Sequence, residues 1–227
     1  GSALFGILDV AKQRKYAPDF SRYCLLTVIF GFFMSLSWPL MSITRVRILE
    51  LSMFEIALLS VTMGSVVIVF QPWSGKLVDR VGRKPLIVAS RIPLVLVPIT
   101  YAFAPNVYYL LLIHGIIGVC QAFWNTASLA YLLDVTHESH RGSFVAFYNL
   151  TIGITAFAGS LTSGYLSEYL GLIFGIALSL QIVYVISAIG RGIGALAYTS
   201  LREPYKYPST LKEELQKTLQ GQWNRER

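Results

Sequence analysis

Gly75-Lys76-Leu77-Val78-Asp79-Arg80-Val81-Gly82-Arg83-Lys84 is the stretch from which the fold is read. It is the most basic short run in the chain, and a long apolar segment lies on each side of it. Its four cations cannot sit in hydrocarbon, so the run reads as a tight turn at a membrane surface. Short cytoplasmic loops carry the excess of Lys and Arg, which places this turn inside and orients every span before and after it.

Composition agrees with that reading. The 227 residues are 54% hydrophobic and 14% charged, with mean hydropathy +0.57, whereas soluble domains carry about 25% charged residues. A membrane-crossing helix needs about 20 apolar residues. Six such segments are read, at about 22–44, 54–73, 85–103, 107–133, 143–166 and 172–198. Of 19 Lys and Arg, 15 fall in the N-terminal arm, two inner loops and the C-terminal tail. Arg45 and Arg47 fall outside, and Arg91 and Arg191 fall within spans. An even number of crossings then leaves both termini cytoplasmic, in a multi-pass protein of the cell membrane. The +7 net charge is thereby assigned to lipid headgroups and topology, and no nucleic-acid-binding motif accompanies it.

Three regions follow. Residues 1–20 form a cytoplasmic arm, with Leu4, Leu8 and Ala11 on one helical face, Pro18 ending that helix, and Gly1-Ser2 resembling a tag scar. Residues 21–201 form the six-helix bundle. Residues 202–227 form a cytoplasmic tail, in which Thr210-x-x-Glu213 reads as a capping box before a second interfacial helix. Within the bundle, Ser60 and Gly64 read as a small-residue packing face, as does Gly190-x-x-x-Gly194. Glu168 to Gly171 reads as the last outer turn. Cys24 and Cys120 sit at different depths and are expected to be free thiols.

The ten-residue run resembles the signature joining the second and third helices of a six-helix half in the major facilitator superfamily of secondary transporters. A second inner segment, Asp134-Val-Thr-His-Glu-Ser-His-Arg141-Gly142, is similar to the family's joint between its fourth and fifth helices. The resemblance implies an all-α polytopic fold: six transmembrane helices arranged as two three-helix inverted repeats, half of a twelve-helix transporter. It implies that Arg83 pairs with Asp134, and that Asp79 faces a helix of the partner half to hold the inner gate shut. Gly75, Arg80, Gly82 and Arg141 belong to the same gating set, the two glycines allowing close approach and unusual backbone angles. One departure stands out. The antiporter branch has Gly-Pro in its fifth helix, where this chain has Gly159-Ser160.

Intramembrane ionisable groups are functional candidates by default. Arg191 lies about 16 Å of helix from Arg202, and Arg91 about 12 Å beyond Arg83. Either could attract an anionic solute. The alternative is that both bond to helix carbonyls or aromatic rings, and the peripheral third and sixth helices of the family favour that structural role. His114 is the only intramembrane imidazole, suited by type to proton exchange and more ordinarily a packing residue. No acidic residue lies at mid-depth. Substrate contacts are placed on Ser35, Trp38, Gln121, Trp124 and Asn125 of the family's cavity-lining first and fourth helices, with Asn149 on the fifth. Gln121 and Asn125 share a helical face. That mix of amide, hydroxyl and indole suits a neutral or weakly charged organic solute.

Several motifs are rejected. Asn149-Leu-Thr151 is a glycosylation pattern within a span, and Gly190-Arg-Gly-Ile-Gly194 is a nucleotide-loop pattern with no strand before it. His137, Glu138 and His140 imply no metal site, and nothing implies a cofactor or an enzyme. The expected function is solute transport by alternating access, with lipid, a small-molecule solute, and a second half or a copy of the chain as partners. The rival reading is a non-transporting scaffold or receptor on the same helices.

Overall fold

The protein is described by a computed structural model over residues 18–136 and 138–204. The arm helix, the tail helix and His137 lie outside these described residues. Within them the chain is all α-helical with short 3-10 and π turns, and six helical segments are long and apolar enough to cross a membrane.

The first span is α1, Pro18–Ile43, continued by a π-helical turn over Thr44–Ile48. Pro18 therefore opens this helix, in the first turn, where its missing N–H costs nothing. Arg45 and Arg47, expected in an outer loop, are carried on the helical extension. Pro39 lies inside α1 and leaves the Ser35 carbonyl without its helical donor. The Ser160 hydroxyl fills that gap, donating to Ser35 O across 3.5 Å. The position that departs from the family's Gly-Pro pattern thus repairs a proline defect in the first span.

α2 spans Met53–Val81. Ser52 caps it through a reciprocal box with Glu55, a Ser-x-x-Glu signal present in the sequence but unread there. The helix corrects the reading of the signature: Gly75 to Val81 are helical, and the turn is concentrated at Gly82. Gly82 takes φ +103°, which a residue with a Cβ rarely adopts. Gly75 needs no such freedom, since a Cβ there would meet nothing within 4 Å.

The third span is broken. α3 (Arg83–Arg91) gives way to a 3-10 turn at Pro93–Val95, then to α4 (Val97–Ala102). Pro93 and Pro98 each remove an N–H from the ladder, so the span cannot close as one α-helix. Asn106 caps α5, Val107–Asp134, by accepting from the Tyr109 N–H. A 3-10 turn, Glu138–His140, leads into α6, Arg141–Phe174. The last outer reversal is at Gly175 (φ +81°), because α6 continues helically through Glu168 to Gly171. α7, Ile176–Tyr198, completes the bundle.

α1 packs on α6 and α7, α5 packs on α2 and α3, and α4 packs on α7. Exchanging spans one to three with spans four to six maps this pattern onto itself, as inverted repeats require. Four glycines set the closest approaches, and a Cβ at Gly190 would run into the Phe33 ring, so Gly190 and Gly194 both pack on the first span. A Cβ at Gly159 would lie 2.6 Å from the Phe32 carbonyl oxygen, and one at Gly118 would lie 2.8 Å from that of Met63. At Gly194 it would lie 3.0 Å from Phe30 Cα. The Ser60–Gly64 face does not pack: Ser60 is exposed and Gly64 has open space around it. Cys24 and Cys120 are both buried and in no disulfide.

Candidate functional site

At the inner end, the break at Gly82 starts α3 with its first N–H groups unsatisfied. Glu203, just past α7, accepts from the Arg83 N–H (3.1 Å) and the Lys84 N–H (2.8 Å). This carboxylate caps the third span from the end of the sixth, where the helix dipole favours negative charge. Partial burial nevertheless raises its pKa above the ordinary value, outweighing the lowering by the Arg83 and Lys84 N–H groups. Arg83 Nε lies 2.8 Å from Asp134 Oδ2, so the start of α3 is ion-paired to the end of α5. Arg141 sits 3.4 Å from Glu138 at the start of α6. Asp79 is exposed on the last turns of α2, and among the described residues no ion pair holds it. Arg80 is half-buried beside it. Glu203 was not read as part of this joint; its only sequence signal is an acid next to a helix end.

At mid-depth a cavity of about 90 Å³ opens between α1, α3, α5 and α6, lined by Thr27, Ser35, Trp38, Arg91, Trp124 and Thr155 among others. Three expected contacts, Ser35, Trp38 and Trp124, therefore converge. The others do not. Gln121 donates to Asn125 at 2.6 Å along α5, and both lie away from the cavity lining, as does exposed Asn149. Thr27 and Thr155 were missed, because hydroxyls on apolar helices give no signal of the side they face.

Arg91 corrects the expectation that the third span stays away from the cavity. Its guanidinium lies 3.3 Å from the Trp124 ring centroid and 4.6 Å from that of Phe30, and the residue is 4% exposed. It also bonds the Tyr198 hydroxyl, which itself donates to Thr27 at 3.1 Å. Arg191, equally buried, is used differently. It donates to the Leu94 carbonyl (2.9 Å), the Met34 carbonyl (3.0 Å) and the Ser37 hydroxyl, so it staples the sixth span to the first and third.

His114 stands nearer the outer side. Its Nδ1 lies 2.8 Å from the Leu110 carbonyl, which places a proton on Nδ1, and Nε2 accepts from Tyr101 Oη at 3.4 Å. Tyr101 Oη in turn accepts two N–H bonds from Arg45, at 3.1 and 2.9 Å. The imidazole is a bonded link between the third and fourth spans and does not line the mid-depth cavity.

Below the cavity Tyr23 Oη meets Ser128 Oγ at 2.6 Å and Tyr148 Oη at 3.2 Å, and its ring stacks on Tyr148 at 5.4 Å. This hub joins α1, α5 and α6 and was not read from the sequence, its members being more than 100 residues apart from Tyr23.

The sequence matches the Major Facilitator Superfamily over residues 23–225. It is 30% identical over 107 residues to the multi-drug resistance efflux pump PmrA of Streptococcus pneumoniae, covering 47% of this chain and 26% of that protein. It is 29% identical over 101 residues to the class B tetracycline resistance protein of Escherichia coli, covering 44% and 25%. To the vacuolar basic amino acid transporter 2 of Saccharomyces cerevisiae it is 28% identical over 102 residues, covering 45% and 22%. The matched stretch is thus about a quarter of each relative's length.

Proposed function

This chain belongs to the major facilitator superfamily, a transporter family rather than an enzyme family, and from that premise we propose that it moves a small solute across a membrane by alternating access. It forms one six-helix half that rocks against a second half, or against a copy of itself, around a central site. The observation that carries the reading is the pairing of a mid-depth cavity, mostly apolar with a buried cation in its wall, with a bonded inner joint. Ser35, Trp38, Arg91, Trp124 and Thr155 converge where a bilayer is deepest, and such groups are costly there unless used. Below them Arg83, Asp134 and Glu203 tie the third span to the fourth and sixth. That network holds the inner ends of the third, fourth and sixth spans together, so that this half can rock as one body.

The unfinished faces fit a partner half. α2 and α6, which the internal repeat exchanges, each leave long apolar faces uncovered, Ile68 on one and Phe157 on the other being 75% and 70% exposed. Exposed Asp79 lies at the inner end of α2, placed to meet a helix of that half. The basic joints, by the excess of Lys and Arg on cytoplasmic loops, support a cell-membrane protein with both ends of this chain on the cytoplasmic side. The arm at 1–20 and the tail at 202–227 are taken as the regions that border the bundle, on the sequence alone.

The test is solute counterflow in proteoliposomes holding the chain together with its second half, if it has one. Transport predicts counterflow for at least one solute class and a rise in melting temperature with that solute in detergent. A folded, fully assembled protein that shows neither with any class is a scaffold or receptor.

A further inference from the structure

Two arginines are buried in the middle of this bundle, and they are not equivalent. Arg191 has its terminal nitrogens committed to two backbone carbonyls and a hydroxyl. Arg91 has Tyr198 and two aromatic faces, and among the described residues no carboxylate pairs with it; the Nε of each arginine is without a hydrogen-bond partner, so the difference lies in the terminal nitrogens. Aromatic rings stabilise a desolvated guanidinium without using up its fork of donors. Arg91 also lines the cavity, whereas Arg191 does not.

The surrounding charge is one-sided. The acids among the described residues are Asp19, Glu50, Glu55, Asp79, Asp134, Glu138, Glu168 and Glu203, all at span ends or in joints. The centre therefore holds two cations and no anion of its own. A buried cation without a carboxylate partner, at the wall of a mostly apolar cavity in a positive field, is matched by a ligand that brings the negative charge and an apolar body.

Resting on the transport reading above, we propose that the transported solute is an organic anion, bound by its carboxylate to Arg91. The carboxylate accepts from the guanidinium N–H groups on the cavity side and from the Thr27 hydroxyl, whose oxygen accepts from Tyr198. The Ser35 and Thr155 hydroxyls donate to the Gly31 and Thr151 carbonyls, and Trp38 and Trp124 face the solute's apolar body. A cavity of about 90 Å³ takes the head of a small organic acid, and the rest of the site comes from the opposing half. This replaces the neutral solute expected from the amides, since Gln121 and Asn125 bond each other outside the cavity. It also separates this chain from a cationic cargo of the kind named for the yeast relative.

The test uses benzoate, with benzamide, benzylammonium and sodium chloride at equal concentration as controls. Melting temperature is read on the assembled protein in detergent, and counterflow on the same protein in liposomes. Benzoate is expected to raise the melting temperature and the three controls to leave it unchanged. Arg91→Gln is expected to weaken the benzoate effect at least about tenfold, the scale of one lost charge-assisted contact. Arg91→Lys retains the cation and gives an intermediate loss, so the outcome does not hang on whether the glutamine variant folds. Benzoate binding unaltered in either variant overturns the proposal, as does an equal effect of chloride or benzamide. Counterflow of neutral or cationic solutes alone overturns the anion assignment and leaves transport intact. Absence of counterflow for every class overturns transport itself.

Discussion

Arg191 donates through Nη1 to the carbonyl of Leu94, 2.9 Å away on the third span. That carbonyl is the one Pro98 leaves without a helical donor, four residues on. In a bilayer no water is at hand to satisfy it, so a side chain from the sixth span does. Replacing Arg191 by Met, similar in length and without donors, is expected to destabilise the bundle by about 1–3 kcal/mol for the stranded carbonyl. Unfolding in mixed detergent measures it. An unchanged midpoint would show that the staple contributes nothing.

Gly159 and Gly64 make a matched pair. A Cβ at Gly159 collides with the Phe32 backbone 2.6 Å away, so Gly159→Ala should cost about 1–3 kcal/mol by forcing α1 and α6 apart. Gly64 has open space, and Gly64→Ala should be neutral or stabilise by up to about 1 kcal/mol through helix propensity. The two melting curves, run side by side, check the contrast in sign.

The Arg83–Asp134 pair is expected to behave as one unit. Arg83→Gln and Asp134→Asn should each lower counterflow, and the double variant should lose less than the sum of the two. A coupling of about 0.5–3 kcal/mol in a double-mutant cycle is anticipated for groups in contact. Strict additivity would mean that the 2.8 Å approach has no energetic consequence.

Glu203 gives a pH dependence. Burial raises its carboxyl above the ordinary value of 4.5. The folded protein then holds this proton more tightly than the unfolded chain does, and the group's contribution to stability falls as pH rises through the window above 4.5. Wild type should therefore gain stability relative to Glu203→Gln as pH is lowered from 7 toward 4.5. A difference that stays flat or shrinks over that range would remove the assignment.

What was legible in the sequence was local. Each span had to be helical and about 20 residues long because an unpaired backbone group in hydrocarbon is too costly. Most of the cations had to gather in the joints and ends of the spans because charge is costly in lipid. The spans and the basic joint between the second and third follow from composition within a window of a few turns. The boundaries followed less well: α2 ran through Gly75, and α6 ran on to Gly175, since nothing local marked where tertiary support would end.

The roles of the two buried arginines were decided elsewhere. From the sequence, Arg91 and Arg191 are two cations at similar depth. Only the packing brings Arg191 to the carbonyls of Leu94 and Met34, 97 and 157 residues away, and leaves Arg91 against Trp124 at the edge of a cavity. Whether a buried donor is spoken for depends on which acceptors other helices present, and that is fixed by how the spans cross.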